Sequence, residues 1–500
     1  MEQKPMKITV IGSSGFYAFD LYRRVFSDEK MRPAELRIWN RNPQTGNSIA
    51  EMLDYARKQS GIDVDFNFFE SQKEALKGTD YVLFTSCVDY PRTRIQDMEV
   101  CEKFGVYPLE GETMSPGGLM NAFRHIPLIM EVARNLEEVS HDAVIIPTVN
   151  PLLRLCGALN CHTKIRFIGH CDGIIHTKVD LATAMKRDPK DIEVIAAGIN
   201  HLTFILNMWD KRTGENLLQY IEAAMPYIRQ LGPFGFRFSN MVYRLLGYYP
   251  SPGDNHIADQ LPFVSREMQL SIPIPNLDVI FPPKDVIASG KASNVNNAVN
   301  CAKRIKDPKV LNAFLNPART EETGTWMEAM HGRIPSYHFE AINLPNDGHI
   351  TNLPNGSIIE IPGDIDASGA RGFAIGDLPP EIASLCQRML VAHESAVEAC
   401  IFHSREAAIR SLAFEPTVHD LSVIEDLFDS LLDVNQKYLS SEFVADMRRK
   451  NNYKKVSVIE PAPDNELRPD APAPENPPAL DILTGAYWGA DMGNLSDKKD

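Results

Sequence analysis

The chain has 500 residues, 44% of them apolar and 23% charged, which is the composition of a soluble globular protein with room for two or three domains. Its formal net charge is -15, from 51 basic and 66 acidic residues, and no basic patch stands out, so we expect neither nucleic acid nor an anionic membrane as a partner. The sequence shows no signal-peptide pattern and no apolar run long enough to cross a bilayer, and its eight cysteines form no CxxC pair. These features predict a cytoplasmic protein with free thiols.

The first 170 residues alternate between short apolar strands and amphipathic helices. A strand at 7–11 runs into a glycine-containing turn at 12–15, and a helix begins at Phe16. The same pattern predicts a strand at 35–39, a helix from about Asn47, a strand at 81–85, a helix at 120–138, and strands at 143–147 and 165–169. Such alternation is typical of βαβ units, so we predict an α/β fold with an N-terminal Rossmann-like parallel sheet.

The pattern changes after residue 170. Long helical stretches broken by Pro/Gly loops dominate, with strands expected near 356–362 and helices again over 380–412. From residue 460 the chain is proline-rich and acidic, which predicts a linker or surface strap, and the apolar segment 480–488 is expected to dock, for example on a neighbouring subunit. We therefore predict three parts, which are a Rossmann-like domain at 1–195, a second domain at 196–455 and a C-terminal extension at 456–500.

The turn after the first strand has the residues of a dinucleotide-binding loop. Glycines there let the backbone approach a pyrophosphate, whose charge then lies at the N-terminus of the next helix. The fingerprint is incomplete, because Ser14 replaces the middle glycine and the third glycine is missing. At the end of the second strand, Asn40 can bond a ribose hydroxyl and Arg41 tolerates a 2′-phosphate, so both NAD and NADP stay open. The predicted cofactor contacts are Gly12, Ser13, Ser14, Gly15, Phe16, Asn40 and Arg41.

Three polar stretches follow predicted strands, and we expect them to meet at one edge of the sheet. The first is EGETMSPGG at 110–118, which leads into a helix that contains Arg124 and Pro127. The second is TVNP at 148–151. The third pairs GHCDG at 169–173 with AGINH at 197–201. Their joint order and spacing carry more information than the incomplete glycine fingerprint.

Together with NDGHITNLPNG at 346–356, these stretches resemble the family 4 glycoside hydrolases over residues 7 to about 440, nearest to the α-galactosidase and α-hexuronidase branch. The resemblance implies a C-terminal α+β domain of the lactate/malate dehydrogenase-like type. It also implies a glycosidase that does not rely on a pair of carboxylates. In this family NAD transiently oxidises C3 of the sugar, a base removes the C2 proton, and the aglycone is eliminated.

The same resemblance implies the ligands of a divalent metal and of the sugar. Cys171 and His201 match the family's metal ligands, with Mn²⁺ as the expected ion, and a thiolate with an imidazole suits a transition metal that keeps open positions. The metal would stabilise charge on the C2 and C3 oxygens. Glu112 and Asn150 match sugar-proximal positions, and we predict Asn200 as a substrate contact as well. Outside this context, a buried thiol, a turn asparagine and a helix-start carboxylate are equally ordinary structural features.

Asp172 is the predicted general acid, because a carboxylate beside the metal can protonate a leaving oxygen. The phospho-α-glucosidase branch has Asp at this position, whereas the α-galactosidases usually have His, so Asp172 favours α-glycosides as substrates. The base is expected in the segment LGYYPSPGDNH at 246–256. Tyr248, Asp254 and His256 are all candidates for it.

The substituent at C6 of the sugar stays open. Phospho-sugar members carry an arginine just after the third strand, whereas this chain has SCVD at 86–89, with Arg92 and Arg94 later. A 6-phosphate is therefore not expected. The candidates are a neutral α-galactoside or α-glucoside, or a 6-carboxylated or 6-sulfonated sugar held by a later arginine. Because family members form dimers and tetramers, we expect a homodimer or homotetramer.

Two other functions are compatible with parts of the sequence. A NAD(P)-dependent 2-hydroxy acid dehydrogenase would share the fold, but it needs no metal and lacks the pairing of Cys171 with the GINH motif. A non-catalytic NAD-binding sensor would bind the cofactor without turnover and would use the proline-rich tail for interactions. Metal dependence and turnover separate these two functions from a glycosidase.

Overall fold

The computed structural model describes residues 5–90, 92–228, 237–265, 294–317 and 323–449, and within these ranges the chain forms two β-sheets with helices packed around them. The predicted C-terminal extension at 456–500, including the apolar segment 480–488, lies outside the described residues. None of the helices in these ranges is both long and apolar enough to cross a membrane. The division of the chain after residues 195 and 455 stays a prediction.

The first sheet has six parallel strands in the order β3-β2-β1-β4-β5-β6. These strands are β1 (Lys7–Ile11), β2 (Glu35–Trp39), β3 (Asp65–Phe68), β4 (Tyr81–Phe84), β5 (Val144–Pro147) and β6 (Arg166–Phe167). The helices that connect them are α1 (Phe16–Ser27), α2 (Pro43–Ser60), α3 (Gln72–Leu76), α4 (Arg92–Lys103), α5 (Ser115–Val139) and α6 (Leu152–His162). This order is that of a doubly wound dinucleotide-binding sheet, which confirms the predicted N-terminal fold.

The four inner strands of this sheet, β2, β1, β4 and β5, bury side chains on both faces, which is why they read as short continuous apolar runs. In β4, Val82 and Phe84 pack into one apolar core together with α5, while Tyr81 and Leu83 pack into the other core with α1 and α2. Successive side chains of a strand point to opposite faces, so one short strand serves two cores.

Local sequence sets the helix boundaries. The Asn42 side chain accepts hydrogen bonds from the N–H groups of Gln44 and Thr45, and Pro43 occupies the first turn of α2. The same helix ends at Gly61, which adopts a φ of +74° that favours glycine. A cap, an N-terminal proline and a C-terminal glycine together explain why α2 starts four residues earlier than the predicted Asn47.

The second sheet is antiparallel, with the order β10-β9-β8-β12-β11-β7, and β13 pairs with β12. Its strands are β7 (Gly169–His170), β8 (Ile192–Ile199), β9 (Leu202–Asp210), β10 (Tyr249–Ser251), β11 (Tyr337–Pro345), β12 (Ile358–Asp366) and β13 (Gly369–Gly372). The chain leaves the parallel sheet at β6 and enters the antiparallel sheet at β7 only two residues later. The functional motif that follows β7 therefore lies where the two sheets adjoin.

Helices surround the second sheet and extend beyond it. They are α7 (Gly173–Ala184), α8 (Ile221–Ile228), α9 (Arg237–Leu246), α10 (Asp254–Gln260), α11 (Asn294–Arg304), α12 (Pro308–Leu315), α13 (Thr325–Met330), α14 (Pro380–Phe402), α15 (Arg405–Phe414), α16 (Ile424–Asn435) and α17 (Ser441–Arg448). This arrangement of helices and an antiparallel sheet confirms the predicted α+β character of the C-terminal part.

The expectation that helices dominate after residue 170 is wrong for two stretches. Residues 192–210 form the β8–β9 hairpin, and residues 337–345 form β11. Both faces of β8 and β9 are largely buried, so their apolar run lacks the alternation that identifies a half-exposed strand. The strand near 356–362 is confirmed as β12, and the predicted helix over 380–412 is two helices separated at His403, whose φ is +52°.

Candidate active site

The loop after β1 passes closely against the end of β4. Gly12 has a φ of +88°, and a Cβ atom there would come within 2.6 Å of the Ser86 backbone nitrogen. A Cβ atom at Gly15 would collide with the Thr85 hydroxyl. Glycine is required at Gly12, whereas a larger residue at Gly15 would need the Thr85 side chain to move. The loop lies between β1 and β4, where the strand order of the sheet changes direction.

Helix α1 begins from this loop without a side-chain cap. Gly15 occupies the N-cap position and makes no capping hydrogen bond, and Phe16 in the first turn is 61% exposed. Ser14 is half-buried, while Ser13 is buried and its hydroxyl accepts a hydrogen bond of 3.2 Å from the Asn40 amide. Free backbone N–H groups at a helix start suit a pyrophosphate, so these residues fit a dinucleotide.

Arg41 borders a cavity of about 300 Å³ at the carboxyl end of β2. The other walls come from α5, from the end of α14 and from the start of α17, and they include Arg124, Arg134 and Tyr438. Arg124 is neutralised by an ion pair with Asp97, whereas the side chain of Arg41 is exposed. This cavity lies beside the position at which a doubly wound sheet holds the adenosine end of a dinucleotide.

Cys171 and His201 lie at the junction of the two sheets. Cys171 follows β7, and His201 occupies the two-residue turn between β8 and β9 with a φ of +64°. Burial, with the Glu360 carboxylate adding to it, raises the pKa of the Cys171 thiol well above its usual value. Burial also lowers the pKa of the His201 imidazole well below its usual value. Both groups are therefore uncharged in the metal-free protein, and a divalent cation would supply the charge that stabilises a thiolate.

This donor set fits a divalent transition metal. The Thr113 hydroxyl contacts Nδ1 of His201 at 3.3 Å, so Nε2 is the nitrogen available to a metal. The parts of the chain that the structure describes contain no group of three or more His, Cys, Asp or Glu side chains arranged around an ion. A thiol and an imidazole alone would leave several coordination positions for substrate oxygens or water.

The buried carboxylate of Glu360 is hydrogen-bonded to residues that neighbour Cys171 and His201. Glu360 on β12 accepts hydrogen bonds from the Asn200 amide at 2.7 Å, from the Thr203 hydroxyl at 2.7 Å and from the Asn343 amide at 2.9 Å. Asn200 in turn donates a hydrogen bond to the Cys171 sulfur and is fully buried. Asn200 is therefore placed to orient the Cys171 side chain, whereas the sequence predicted a substrate contact.

Asp172 lies directly beside the two candidate ligands. It stands at the N-cap position of α7, but its carboxylate makes no capping hydrogen bond. The side chain is 16% exposed, and one oxygen lies 3.7 Å from Nε2 of His176. Its negative charge acts on the protonation of both Cys171 and His201. When it is protonated, a partly open carboxyl group in this place could give a proton to a leaving oxygen.

Asp254 is occupied by a helix cap. Its carboxylate accepts hydrogen bonds from the backbone N–H groups of Phe238 and Ser239, at 2.8 and 2.7 Å, and from the Ser239 hydroxyl. These groups lie in the first turn of α9, and Asp254 is fully buried. The carboxylate thus satisfies the start of a helix, which leaves it poorly placed for proton transfer.

His256 and Tyr248 are the other candidates for the base. The His256 ring packs against the His201 ring with 4.2 Å between the centroids, and its Nε2 lies 3.6 Å from Glu110. Burial, followed by the charge of Arg94, lowers the pKa of His256 to about 3, so the imidazole is neutral. Tyr248 is half-buried against the apolar core beneath β8 and β9. Both side chains remain chemically able to accept a proton.

Glu112 and Asn150, the two predicted sugar contacts, lie side by side. The Asn150 amide donates a hydrogen bond of 3.0 Å to Glu112 Oε1. The Asn121 amide holds the backbone carbonyls of both residues, at 2.9 and 3.1 Å. Burial, followed by repulsion from Glu110, raises the pKa of Glu112 to about 7. This carboxylate is therefore sensitive to any further negative charge placed beside it.

Arg94 reaches this group of residues from α4, but its charge is already paired. We call the region that holds Glu110, Glu112, Asn150, Cys171 and His201 the cleft. Its guanidinium forms an ion pair with Glu110, donates to the Tyr90 hydroxyl at 3.0 Å and donates to the Leu109 carbonyl at 3.2 Å. The second oxygen of Glu110 accepts a hydrogen bond of 3.0 Å from the Asn255 amide. Arg94 is 3% exposed, so the pair is shielded from water.

Asp259 holds the loop that carries these acidic residues. Its carboxylate accepts hydrogen bonds from the backbone N–H groups of Leu109, Glu110 and Gly111 at 2.8, 2.8 and 2.9 Å. Burial raises the pKa of Asp259 to about 7, although the three N–H donors favour its charged form. One buried side chain of α10 therefore fixes the position of the EGE segment across the cleft.

Sequence reasoning missed three carboxylates that build this cleft. Glu110 stood inside the quoted EGETMSPGG stretch but received no role, and its contact with His256 needed the fold to become visible. Glu360 lies 160 residues from Asn200, to which it is hydrogen-bonded. Asp259 lies 149 residues from Glu110, whose backbone N–H donates a hydrogen bond to it. No local pattern signals such long-range partners.

Comparisons with known proteins identify the family of the chain. A sequence model described as "Family 4 glycosyl hydrolase" matches residues 7–187, and one described as "Family 4 glycosyl hydrolase C-terminal domain" matches residues 196–418. An α-galactosidase from Bacillus subtilis (strain 168) is 26% identical over 436 residues, which are 84% of this chain and 97% of that protein. An α-galacturonidase from Thermoanaerobacter italicus (strain DSM 9252 / Ab9) is 25% identical over 402 residues, covering 75% and 85% of the two chains.

A solved structure has the same fold. It is a 6-phospho-α-glucosidase from gut microorganisms in complex with NAD and Mn²⁺, with a TM-score of 0.74 and 16% sequence identity. The likeness covers 87% of this chain and 99% of that one. The three relatives differ in the group that their named substrates carry at C6, which is a hydroxyl, a carboxylate or a phosphate.

Proposed function

Because the chain belongs to glycoside hydrolase family 4, as its motifs predicted, we propose that it cleaves an α-glycoside with NAD and a divalent metal ion by transient oxidation of the sugar. The proposal is supported by Cys171 after β7 and His201 between β8 and β9, together with a glycine loop suited to a dinucleotide; Tyr17, just after that loop, packs against His170 beside Cys171 with 5.3 Å between the ring centroids. A plain hydroxy acid dehydrogenase of this fold needs no such metal ligands.

The residues divide into two groups by what they hold. The loop of Gly12 to Gly15 and the start of α1 would bind the pyrophosphate of NAD, and Asn40 would face the adenosine ribose. Cys171 and His201 would hold the metal, with Mn²⁺ as the expected ion. When bound, NAD supplies a hydride acceptor for C3 of the sugar, and the metal polarises the oxygens at C2 and C3.

Proton transfer is left to the side chains. We assign the general acid to Asp172, whose carboxylate makes no capping bond and lies beside both metal-ligand candidates. We assign the removal of the C2 proton to Tyr248 or His256, because the Asp254 carboxylate is occupied by the start of α9. Glu112 and Asn150 would bind hydroxyl groups of the sugar.

Release of an aryl group from α- and β-glycosides tests the reaction. The full chain is stripped of cofactors by chelation and dialysis, and NAD⁺ and Mn²⁺ are then added separately and together. We expect hydrolysis of α-glycosides only when both are present. Hydrolysis without either cofactor contradicts the oxidative route. Reduction of NAD⁺ by hydroxy acids without hydrolysis of any glycoside would instead identify a dehydrogenase, and cofactor binding without any turnover would identify a sensor.

A substrate with deuterium at C2 separates the two candidate bases. Tyr248→Phe and His256→Asn are compared with the unchanged protein in their rate and in their C2 isotope effect. Loss of a catalytic base lowers kcat by about 10²- to 10⁴-fold. We expect the variant that lacks the base to lose this much and to show a larger isotope effect. If both variants keep their rate, the base lies elsewhere.

We also propose that the protein works as a cytoplasmic homodimer or homotetramer. The oligomeric state is proposed because members of this family form dimers and tetramers. The cytoplasmic location is proposed because the cysteines of the described residues are all free. Light scattering of the full chain during size-exclusion chromatography measures the mass directly. A mass of 56.0 kDa, that of one chain, would contradict it.

A further inference from the structure

The short segment before α5 reaches the proposed metal ligand His201 from a distant part of the chain. The hydroxyl of Thr113 lies 3.3 Å from Nδ1 of His201, and the two residues are 88 positions apart in the sequence. His201 itself occupies the turn between β8 and β9. The position of Thr113 therefore limits how the imidazole ring of His201 can turn.

The backbone of this segment is strained at Ser115. Its φ is +83°, in the left-handed region that a residue with a side chain enters only at a cost in energy. The segment also folds tightly against the first turn of α5, where a Cβ atom at Gly118 would come within 2.5 Å of the Thr113 carbonyl oxygen. Such a conformation persists only where surrounding groups hold it.

A buried ion pair between Arg154 and Glu415 holds this backbone. Glu415 follows α15 directly, and its Oε2 accepts a hydrogen bond of 2.6 Å from the Ser115 N–H. Its Oε1 accepts a hydrogen bond of 2.7 Å from the guanidinium of Arg154 on α6, and both side chains are 0% exposed. Arg154 also contacts the sulfur of Met114 at 3.8 Å and donates to Nδ1 of His393 at 3.2 Å. The pair thus contacts two consecutive residues of the segment.

This ion pair does more than join α6 to the end of α15. A salt bridge with that task alone would need no contact with the segment before α5, yet one oxygen of Glu415 is used for the Ser115 N–H. Because both charges are buried, moving either one would leave the other without its partner in a place that water does not reach. The ion pair therefore fixes the backbone that leads from Thr113 into α5.

We infer that Thr113 is a positioning residue for His201, and that the buried ion pair keeps Thr113 in place by holding Ser115 in its left-handed conformation. The Thr113 hydroxyl accepts the proton on Nδ1 of His201, which leaves the lone pair of Nε2 for a metal. The inference rests on the proposed function, because it concerns the support of the proposed metal site. Thr113 and the ion pair act through His201 and are not themselves ligands.

The Mn²⁺ affinity of the full chain tests the role of the hydroxyl, and electron paramagnetic resonance in saturating NAD⁺ measures it. Thr113→Val keeps the shape of the side chain but removes the hydroxyl. It should weaken Mn²⁺ binding by about 10- to 100-fold, the usual effect of removing the partner of a metal-bound histidine. Thr113→Ser retains the hydroxyl and should bind Mn²⁺ within about threefold of the unchanged protein. Equal affinities of the two variants overturn the inference.

Glu415→Asp tests the ion pair. The shorter side chain keeps the negative charge beside Arg154 but draws its oxygens away from the Ser115 N–H, so Mn²⁺ binding should weaken by about tenfold. Adding Ser115→Gly should recover most of this loss, because glycine adopts the left-handed conformation without strain. A loss of affinity that Ser115→Gly leaves unchanged would contradict the link through Ser115.

Glu328→Asp is the matched control. Glu328 on α13 forms a buried ion pair with Arg24 on α1, and the two side chains are 3% and 7% exposed. The same shortening should leave Mn²⁺ affinity unchanged, since this pair joins α1 to α13. An equal loss of affinity in the control would point to general loosening of the fold and would overturn the role of Glu415. If Glu415→Asp does not fold, the comparison of Thr113→Val with Thr113→Ser still decides the inference.

The unchanged protein distinguishes failure of the inference from failure of the proposed function. If it binds no Mn²⁺, the proposed metal site and the proposed function fail together with the inference. If it binds Mn²⁺ and hydrolyses α-glycosides, but Thr113→Val binds Mn²⁺ equally well, only the inference fails.

Discussion

The glycine loop after β1 and the cleft between the two sheets are built in opposite ways. The loop is a local structure whose shape depends on the backbone conformation of neighbouring residues. Two of its glycines lie in close contact with the end of β4. The cleft is assembled from side chains that lie far apart in sequence and are held by buried carboxylates such as Asp259 and Glu360. We therefore expect substitutions to separate cofactor binding from sugar and metal chemistry.

The contrast also explains where charge is placed. The loop presents polarised N–H groups at the start of α1, where Phe16 is exposed, and none of its four residues carries a charge. The cleft buries titratable groups whose pKa values move because water is excluded, as for Cys171, Glu112 and Asp259. A change of charge is costly in such a buried cluster, because the charged groups there are shielded from water.

The largest expected effect comes from Cys171→Ala. Removing one of the two proposed metal ligands should abolish Mn²⁺ binding and lower kcat/KM by about 10³-fold or more, since the metal would stabilise charge in the transition state. Binding of NAD⁺ should stay within about threefold, because the glycine loop does not touch this residue. Electron paramagnetic resonance of Mn²⁺ and fluorescence titration with NADH measure the two affinities.

Cys161→Ala is the matched control for this change. Cys161 is an exposed free cysteine at the end of α6, outside both the loop and the cleft. It should bind Mn²⁺ as the unchanged protein does. If Cys171→Ala keeps its Mn²⁺ affinity, the assignment of the metal site is wrong.

Gly12→Ala should produce the converse result. The new Cβ atom would meet the Ser86 backbone at a φ of +88°, so the loop must move and NAD⁺ affinity should fall by about 10- to 100-fold. Mn²⁺ affinity should not change. Equilibrium dialysis of both ligands separates the two outcomes.

Gly61→Ala provides the comparison for backbone strain alone. Gly61 also has a positive φ, of +74°, but a Cβ atom there would contact nothing within 4 Å. It should cost about 1 kcal/mol of stability and leave NAD⁺ binding intact. Equal loss of NAD⁺ binding in both variants would mean that the close approach at Gly12 is unimportant.

The sequence predicted one of these regions better than the other for a physical reason. Strands β1, β2 and β4 and the turn of Gly12 to Gly15 are encoded by residues next to one another, so local pattern is enough to find them. Cys171 and His201 were proposed from their motifs. The buried carboxylates of this region follow only from tertiary packing, because Glu360 bonds Asn200 and Thr203 and Asp259 bonds the backbone of residues 109–111. The β8–β9 hairpin was not predicted from the sequence, because burial on both faces removes the alternation of apolar and polar residues that identifies a strand.

Asp259→Asn should change how the free energy of unfolding depends on pH, because this carboxylate is buried in the cleft. Because burial raises the folded-state pKa of Asp259 from 3.8 to about 7, the folded protein binds more protons than the unfolded chain between these values. The stability from this protonation is fully present below about pH 4 and is lost as the pH rises toward 7. Asp259→Asn should flatten this part of the curve of unfolding free energy against pH, as measured by urea denaturation.

The comparison for this prediction is a carboxylate that is exposed. Asp433 on α16 pairs with Arg448 on the surface, with the aspartate side chain 63% exposed. Asp433→Asn should leave the slope between pH 4 and 7 as it is, because exposed pairs contribute little. An unchanged slope in Asp259→Asn would show that the three N–H donors, and not burial, govern the protonation of this carboxylate.

The smallest expected effect lies at the predicted adenosine end of the dinucleotide site. The charge of Arg41 is exposed to solvent there, so it contributes little to binding. Arg41 is exposed beside the 300 Å³ cavity, and Asn40 supplies no carboxylate that would repel a 2′-phosphate. Arg41→Ala should weaken NADP⁺ binding by about fivefold, the range of an exposed ion pair, and leave NAD⁺ binding unchanged. Arg57→Ala, at the exposed end of α2, is the control for general surface charge. Raising the salt concentration should erase the difference between Arg41→Ala and the unchanged protein, since solvent-exposed charges are screened. An equal loss for both dinucleotides would instead place Arg41 against the adenine or ribose, and the loop would then depend on side chains as the cleft does.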